Sequence, residues 1–341
     1  MYIITKSFMA VLIGFILSII TGYILIPILK KLKANQNISR YLEKEHKSKN
    51  HTPTIGGLIF IIPTIITTIL LIILKKIELN YSLIIVIFTF LAYSLIGFID
   101  DYLKIKRENN DGLTENQKLI LQIIVALVFF FLFLKAGNEP LLWIHAIGFK
   151  KNIGFFYGIF ILLVLLATTN AVNLTDGLDG LAAGLGIISI STFGIITWNT
   201  DWLNGYDTIA LFLFILVGSL IGFLTFNINP AKVFMGDTGS LALGSILATI
   251  AILTRHELLL IVIGIVFVIE MLTTIIQRIY YKITKKRLFL MTPIHHTFEK
   301  KGMNERDIVK LFWCIGFVAS LIALIYGVWL WIKKYYYIVY Y

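Results

Sequence analysis

The chain has 341 residues, of which 58% are hydrophobic and only 14% charged, and its mean hydropathy is +0.87, which excludes an ordinary soluble domain. Its formal net charge is +11, but the basic residues lie between apolar runs, so a nucleic-acid partner is not expected. The single cysteine, Cys314, excludes an intrachain disulfide and a cysteine-based zinc site, and its thiol is expected to be buried.

Ten apolar runs of about 20 residues, each long enough to cross a bilayer, follow one another along the chain. They predict an all-α polytopic membrane protein with one integral membrane domain over residues 1–341. The eighth run is short and the ninth contains Glu270, so these two are expected to be broken, tilted or re-entrant. The runs lie near 8–29, 55–74, 81–99, 119–135, 154–172, 178–198, 207–227, 238–254, 257–278 and 308–332.

Charge in the connecting loops predicts how the chain is oriented. Ten spans place both termini on one side, and the loops that follow odd-numbered spans, together with the span ends that border them, hold 21 of the 30 lysines and arginines. Because cytoplasmic loops are enriched in these residues, this set is predicted to be cytoplasmic and both termini extracytoplasmic. On the other side, segment 136–153 is expected to be a short hairpin or an interfacial segment without chemistry.

Polar clusters are confined to the loops predicted to be cytoplasmic. The densest is Asn170–Gly180, where Asn173, Asp176 and Asp179 recur every third residue and would share one face of a helix. The other residues of interest are Lys49 and Thr52 after the first span, Asp100, Asp101, Lys104 and Lys118 around the third and fourth spans, Phe234 and Asp237 before the eighth, and His295 and His296 before the tenth.

The five aspartates predicted at this surface indicate a metal and a phosphate ligand. Oxygen ligands without sulfur favour Mg²⁺ or Mn²⁺ over zinc. Because Mg²⁺ usually joins a few carboxylates to substrate phosphates, a diphosphate substrate is expected. Each cluster also has a structural interpretation: Asp100 and Asp101 can end a helix in water, and Asp237 can cap one. No P-loop, dinucleotide-binding or zinc-protease motif is present.

The basic side chains are less specific than the aspartates. His295 and His296 can donate to a phosphate oxygen or assist a leaving group, although paired histidines also occur on surfaces. Lys49 and Lys118 can contact phosphate, but loop orientation alone predicts lysines here. The basic residues of segment 282–287 are explained best by anionic lipid at the membrane surface.

Together, these motifs resemble the polyprenyl-phosphate N-acetylhexosamine-1-phosphate transferases, and most closely the branch that transfers phospho-N-acetylmuramoyl-pentapeptide. The resemblance implies ten spans and an active site on the cytoplasmic face of a bacterial inner membrane. Two departures from the family pattern are Thr297, where a third histidine is usual, and His51, where glycine is usual. The matching segments are His46–Gly57, Asp100–Lys104, Asn170–Ala182, Phe234–Gly244 and Pro293–His296.

The resemblance implies a Mg²⁺-dependent reaction that moves phospho-N-acetylmuramoyl-pentapeptide from UDP-N-acetylmuramoyl-pentapeptide to undecaprenyl phosphate in the membrane lipid, giving lipid I and UMP. By the same resemblance, Asp237 would hold the metal, and Asp100 and Asp101 would lie beside the acceptor phosphate. His295 would assist the chemistry. The residues implied to bind substrate are Lys49, Thr52, Lys118, Asn173, Asp176, Asp179, Phe234 and His296.

Two other functions remain open at this point. A sister transferase would use a UDP-N-acetylhexosamine without the peptide, although the long Asn170–Gly180 match and Pro293–His296 argue against it. A carboxylate-based cation transporter would need acids near the middle of the membrane, where only Glu270 qualifies. The sequence leaves open the oligomeric state, a homodimer included, and does not decide between a one-step and a covalent two-step reaction.

Overall fold

The computed structural model describes residues 2–32, 34, 52–107, 111–144, 148–198, 200, 203 and 205–329. Apart from one two-stranded hairpin, its regular elements are helices, which confirms the predicted all-α membrane fold. The helices are α1 (Tyr2–Lys31), α2 (Leu58–Ile73), α3 (Tyr81–Lys106), α4 (Glu115–Lys135), α5 (Phe156–Thr175), α6 (Leu181–Trp198), α7 (Tyr206–Asn227), α8 (Gly236–Leu253), α9 (Glu257–Ile263), α10 (Ile265–Thr284), α11 (Ile294–Lys300) and α12 (Glu305–Leu324), and a π-helical turn follows at Ile325–Trp329.

Within the described residues, eight helices are long and apolar enough to span a membrane, namely α1, α3 to α8, and α12. The pair α9 and α10 bends by 87° at Gly264 and makes a ninth span if counted together, while α2 is a shorter apolar helix. Each of the ten predicted runs therefore corresponds to one helix or to the bent pair. The side of the membrane on which each terminus lies stays a prediction.

Of the two runs expected to be broken, tilted or re-entrant, the ninth is broken at Gly264, whereas the eighth is one unbroken helix whose tilt stays a prediction. Helix α8 is continuous, and nearly all of it is buried by other helices. It looked short in the sequence because its first turn contains Asp237, Thr238 and Ser240, which interrupt the apolar pattern. The carboxylate of Asp101 on α3 accepts hydrogen bonds from the backbone N–H groups of Asp237 and Thr238. These bonds stabilise the first turn of α8, so its polar residues are helical.

Helix α8 lies at the centre of the bundle, between α3 and α5, while α7 packs against α1 and α6. Gly97 allows the backbones of α3 and α8 to come into contact, since a Cβ at this position would overlap the backbone carbonyl of Asp237. Because no side chain separates the two backbones, Asp100 and Asp101, one turn further along α3, lie directly beside the start of α8.

Segment 136–153 contains an antiparallel hairpin of β1 (Leu141–Ile144) and β2 (Phe149–Asn152), one of the two forms expected. Arg255 lies just after α8. Its guanidinium fixes the start of β1 by donating to the backbone carbonyls of Leu141 (3.0 Å) and Glu139 (2.6 Å). The expectation of a buried thiol was wrong, because Cys314 is exposed on α12. In a membrane helix, apolar residues face lipid as well as the core, so an apolar run does not identify the buried side.

Candidate active site

Three carboxylates from two helices meet where α3 ends and α8 begins. Asp100 and Asp101 belong to α3 and Asp237 to the first turn of α8, and one carboxylate oxygen of each lies within 4.8 Å of the other two. This donor set contains oxygen alone, which suits a hard divalent cation such as Mg²⁺. The fold thus brings Asp237 to a pair of aspartates that is 136 residues away in sequence at Asp101, and the chemical roles of all three stay a prediction.

Asp101 joins the two helices. Its Oδ1 accepts the backbone N–H of Asp237 (3.1 Å), and its Oδ2 accepts the backbone N–H and the hydroxyl of Thr238 (2.9 and 2.7 Å). A carboxylate that accepts N–H groups at a helix start also compensates the positive end of the helix dipole. Asp101 therefore fixes the position of Asp237 relative to α3.

Two lysines lie between the other carboxylates. The ammonium of Lys118, on α4, is 2.6 Å from Asp237 Oδ2 and 3.9 Å from Asp100 Oδ1. The ammonium of Lys104, one turn after Asp100, is 2.6 Å from Asp100 Oδ2 and 3.3 Å from Asp237 Oδ2. With all five groups ionised, the cluster carries one net negative charge, so it attracts a cation and, once a cation is bound, a phosphate.

Asn173, Asp176 and Asp179 would share one face only if the whole segment were helical, and it is not, because α5 ends at Thr175. Asn173, still on α5, donates to Asp237 Oδ1 and to the hydroxyl of Ser240, both at 2.8 Å. Asp179 lies in the following loop, where its Oδ2 accepts from the amide of Asn229 (3.1 Å) and the backbone N–H of Ala231 (3.0 Å). Asn173 therefore orients the carboxylate cluster, and Asp179 joins two loops.

Asp176 stands between these two sets, directly after α5, and is partly buried. Burial, and then the negative charges of Asp237, Asp101 and Asp179, raise the pKa of Asp176 to about 8. Its carboxyl group is therefore protonated over much of the neutral pH range unless a cation or a ligand compensates the charge.

The two predicted histidines lie on α11, below this loop. His295 is fully buried, with its Nδ1 3.1 Å from Oε1 of the equally buried Glu270 on α10. On its other side the ring lies against Gly177, where a Cβ would overlap Nε2. His296 is paired with Glu299 at 2.6 Å. Glu270, the isolated acid of the ninth run, therefore has a histidine partner, and His295 supports the loop that carries Asp176.

Thr297, found where the family usually has a third histidine, has a structural role in this chain. Its hydroxyl accepts the backbone N–H of Met291 at 3.1 Å and donates to the carbonyl of the same residue. These two bonds close the loop that leads into α11, so the threonine stabilises the approach to His295 and His296.

The motif after the first span pairs with the motif before α8. The backbone N–H of Phe234 donates to the carbonyl of Pro53 (2.8 Å), and Gly56 and Gly57 donate to Phe234 and Met235 (2.8 and 2.9 Å). Thr52, next to Pro53, is partly buried at the edge of this pairing. Lys49 lies outside the described residues.

Some residues that build the site carry no sequence signal of their own. Asn229 and Glu305 hold motif residues, but asparagine and glutamate at loop and helix ends are common in any protein. Glu270 did have a signal, because an acid within an apolar run needs a partner in the membrane. That partner, His295, was identified only by the fold.

Comparison with known proteins gives a consistent result over nearly the whole chain. Residues 83–255 match the model of the family described as glycosyl transferase family 4. A phospho-N-acetylmuramoyl-pentapeptide-transferase of Bacillus subtilis (strain 168) is 44% identical over 320 residues, which are 94% of this chain and 97% of the relative. Relatives of the same name from Staphylococcus epidermidis (strain ATCC 35984) and Geobacillus sp. (strain WCH70) are 45% and 42% identical, and each alignment covers 94% of this chain and 99% or 98% of the relative.

Proposed function

This chain belongs to the phospho-N-acetylmuramoyl-pentapeptide-transferases of glycosyl transferase family 4, and from that premise we propose the reaction that it catalyses. It transfers phospho-N-acetylmuramoyl-pentapeptide from UDP-N-acetylmuramoyl-pentapeptide to undecaprenyl phosphate. The products are lipid I and UMP. The observation that supports this proposal is the cluster of Asp100, Asp101 and Asp237 with two lysines, at the junction of α3 and α8.

The acidic cluster fits Mg²⁺ because its donors are three carboxylates without sulfur or imidazole. Asp237 and Asp100 would hold the ion, and Asp101, whose oxygens accept hydrogen bonds from α8, would keep Asp237 in place. When bound, Mg²⁺ would neutralise phosphate charge at the reacting diphosphate. The donor set supports a hard divalent cation, and the choice of magnesium is part of the proposal.

The reaction is a displacement at phosphorus. An oxygen of undecaprenyl phosphate attacks the sugar-linked phosphorus of the diphosphate, and the bond from that phosphorus to the bridging oxygen breaks, so UMP leaves with the bonding electrons. A phosphate monoester has its second pKa near 6 and is mostly a dianion at pH 7. It is therefore already nucleophilic, and no strong general base is required.

The main barrier is electrostatic, because a dianion must approach a charged diphosphate. Two unit charges about 4 Å apart repel by roughly 4 kcal/mol at an effective dielectric constant of 20. The ammonium groups of Lys118 and Lys104 lie 2.6 and 3.3 Å from Asp237 Oδ2. When substrate binds, these lysines would release the carboxylate and contact phosphate oxygens instead. Asn173 keeps Asp237 oriented through the exchange.

The remaining substrate contacts are proposed from the family resemblance. Asp176, Asp179 and Phe234 would border the nucleoside, with Lys49 and Thr52 on the adjoining segment. His295 would act from beneath the Asp176 loop, and His296 would contact substrate. The active site would face the cytoplasm of a bacterial inner membrane, with the enzyme forming one membrane domain.

The proposal is tested by measuring UMP release from purified protein in detergent or nanodiscs. Release is expected only when UDP-N-acetylmuramoyl-pentapeptide, undecaprenyl phosphate and Mg²⁺ are all present. Equal release with UDP-N-acetylglucosamine would instead identify the sister transferase. Absence of release under all of these conditions, with ion uptake into vesicles, would identify a transporter.

A further inference from the structure

A second polar network lies beside the acidic cluster and involves a residue from none of the motifs. Glu305, in the first turn of α12, accepts the backbone N–H of Asp179 with Oε1 (2.8 Å) and the side-chain amide of Asn229 with Oε2 (2.9 Å). The same amide donates to Asp179 Oδ2 (3.1 Å). Asn229 thus lies between two carboxylates, and each of its amide hydrogens has an acceptor.

The other side of Asn229 is also bonded. Its carbonyl oxygen accepts from Nε of Arg306, the residue after Glu305, at 2.9 Å. The orientation of the amide is therefore determined by the contacts on both sides, because reversing it would place donors against Arg306 and an acceptor against two carboxylates. The start of α12 thereby fixes the loop between α7 and α8.

These bonds limit the shape of the loop between α5 and α6. Asp179 is held through its backbone by Glu305 and through its side chain by Asn229 and Ala231. The next residue, Gly180, has φ +81° and donates its N–H to Asn227 Oδ1 at 3.1 Å. Movement of Asp179 and Gly180 is therefore expected to displace Asp176, which begins the same short loop.

We propose that Glu305 is a positioning residue, which fixes the Asp176–Gly180 loop through the Asp179 amide and Asn229 and thereby sets affinity for the nucleotide-sugar substrate. The effect on affinity rests on the proposed function, in which this loop borders the nucleoside. The effect on loop shape does not, because it follows from hydrogen bonds within the chain. A carboxylate is needed since both groups that face it are donors.

The test compares Glu305→Ala and Glu305→Gln with Asp307→Ala. Asp307 lies in the same first turn of α12 but is exposed and, among the residues that the structure describes, pairs with Lys310 across one helical turn (3.6 Å), so its removal controls for the loss of an acid at the helix start. Glutamine retains one acceptor but places its NH₂ group against a donor, so it gives a second measurement if the alanine variant does not fold.

The first measurement is hydrogen–deuterium exchange of peptides covering residues 176–181, with the hairpin peptides as an internal reference. Losing the acceptor of the Asp179 amide is expected to speed exchange in this segment by about tenfold in the alanine variant. Unchanged exchange in both Glu305 variants would overturn the positioning role, whether or not the protein has the proposed activity.

The second measurement is steady-state kinetics. KM for UDP-N-acetylmuramoyl-pentapeptide is expected to rise about tenfold in Glu305→Ala, since a charged hydrogen-bond acceptor is lost, while KM for the lipid acceptor and kcat change by less than about twofold. Asp307→Ala should match the unmodified protein. Faster exchange without a change in KM for the nucleotide sugar would overturn the link between loop shape and affinity. Lack of turnover by the unmodified protein would contradict the proposed function instead, and the exchange measurement would still decide the positioning role.

Discussion

At the scale of single residues, Asp237 is held by ionic and hydrogen-bonding contacts from three other helices, α3, α4 and α5. Its carboxylate is contacted by Lys118, Lys104 and Asn173, and its backbone N–H is held by Asp101. Such a group is oriented before substrate arrives, which reduces the reorganisation needed during the reaction.

Asp237→Asn is expected to lower UMP release by roughly 100-fold or more, because an amide removes the negative charge that a cation and both lysines face. The protein should still fold, since asparagine is isosteric. The measurement is UMP release at saturating substrates, with thermal unfolding as the check on folding.

Asp207→Asn is a matched control, because Asp207 also lies in the first turn of a helix but is exposed. It should retain normal turnover. Near-normal activity of Asp237→Asn, with Asp207→Asn equally active, would refute the assignment of Asp237 to the reaction.

The raised pKa of Asp176 predicts a pH-dependent stability. The folded protein holds this proton up to about pH 8, whereas the unfolded chain releases it near pH 4, so the free energy of unfolding falls as pH rises between these values. The Asp176→Asn variant has no carboxyl group to titrate at this position, so its free energy of unfolding does not show this fall. Its Tm relative to the unmodified protein should therefore increase from pH 5 to pH 8, measured in EDTA because a bound cation would lower the pKa of the carboxyl group. A constant Tm difference over this range would contradict the prediction.

At the scale of elements, the site depends on how helices end and cross. Helix α5 stops at Thr175, so the Asp176–Gly180 loop can turn toward α12 while Asn173 stays with α8. Helix α10 carries Glu270 beneath this loop, where it meets His295 of α11. The crossing of α3 and α8 is the tightest of these arrangements, because Gly97 brings the two backbones into contact.

Gly97→Ala is expected to destabilise the protein by about 1–3 kcal/mol, because the added methyl group overlaps the Asp237 carbonyl and the packed helices cannot easily separate. Activity should fall with stability, since Asp100 and Asp101 would move away from Asp237. The measurements are thermal unfolding and UMP release.

Leu95→Ala provides the comparison for this variant, because Leu95 lies on the same helix with its side chain 58% exposed. Its effect on both quantities should be small. Equal stability and activity of the two variants would show that the α3–α8 crossing tolerates a larger separation than the geometry indicates.

At the scale of the whole molecule, the acidic cluster, the Asp176–Gly180 loop and α11 lie at one end of the bundle. They are connected by the bonds among Asp101, Asn173, Glu305 and their partners. The Leu141–Asn152 hairpin is held elsewhere, by Arg255 beyond the other end of α8. The two groups lie at opposite ends of α8, which has 18 residues and is therefore about as long as the hydrocarbon core of a bilayer is thick. A membrane around the bundle would place them on opposite sides.

Cysteine labelling tests this arrangement in spheroplasts. In a Cys314→Ser background, Lys151→Cys in the hairpin should react with a membrane-impermeant maleimide, whereas Lys232→Cys beside the Asp179 network should react only after permeabilisation. Both lysines are exposed, so reactivity reports sidedness rather than burial. Labelling of both positions in intact spheroplasts would contradict the predicted cytoplasmic active site.

The membrane fold, the positions of its apolar helices and the presence of acidic residues able to hold a metal ion were predictable from sequence because each depends on local pattern. Apolar runs of bilayer length must be helical, and carboxylates in one set of loops indicate a cation site whatever the packing is. The sequence placed five aspartates at one surface, and the separate roles implied for Asp237 and for Asp100 and Asp101 followed from motifs that the chain shares with a family. These features need no knowledge of which helix lies beside which.

Only the tertiary structure decided which polar residues face each other. It separated Asn173 from Asp179, paired Glu270 with His295, and recruited Glu305 to hold a loop more than 120 residues away in sequence. Such pairings depend on where helices end and cross, and in a membrane bundle an apolar helix gives little indication of the neighbour it will have. The physical reason is that lipid and protein interior are equally apolar, so hydrophobicity positions the helices across the membrane, and close packing at residues such as Gly97 selects their partners.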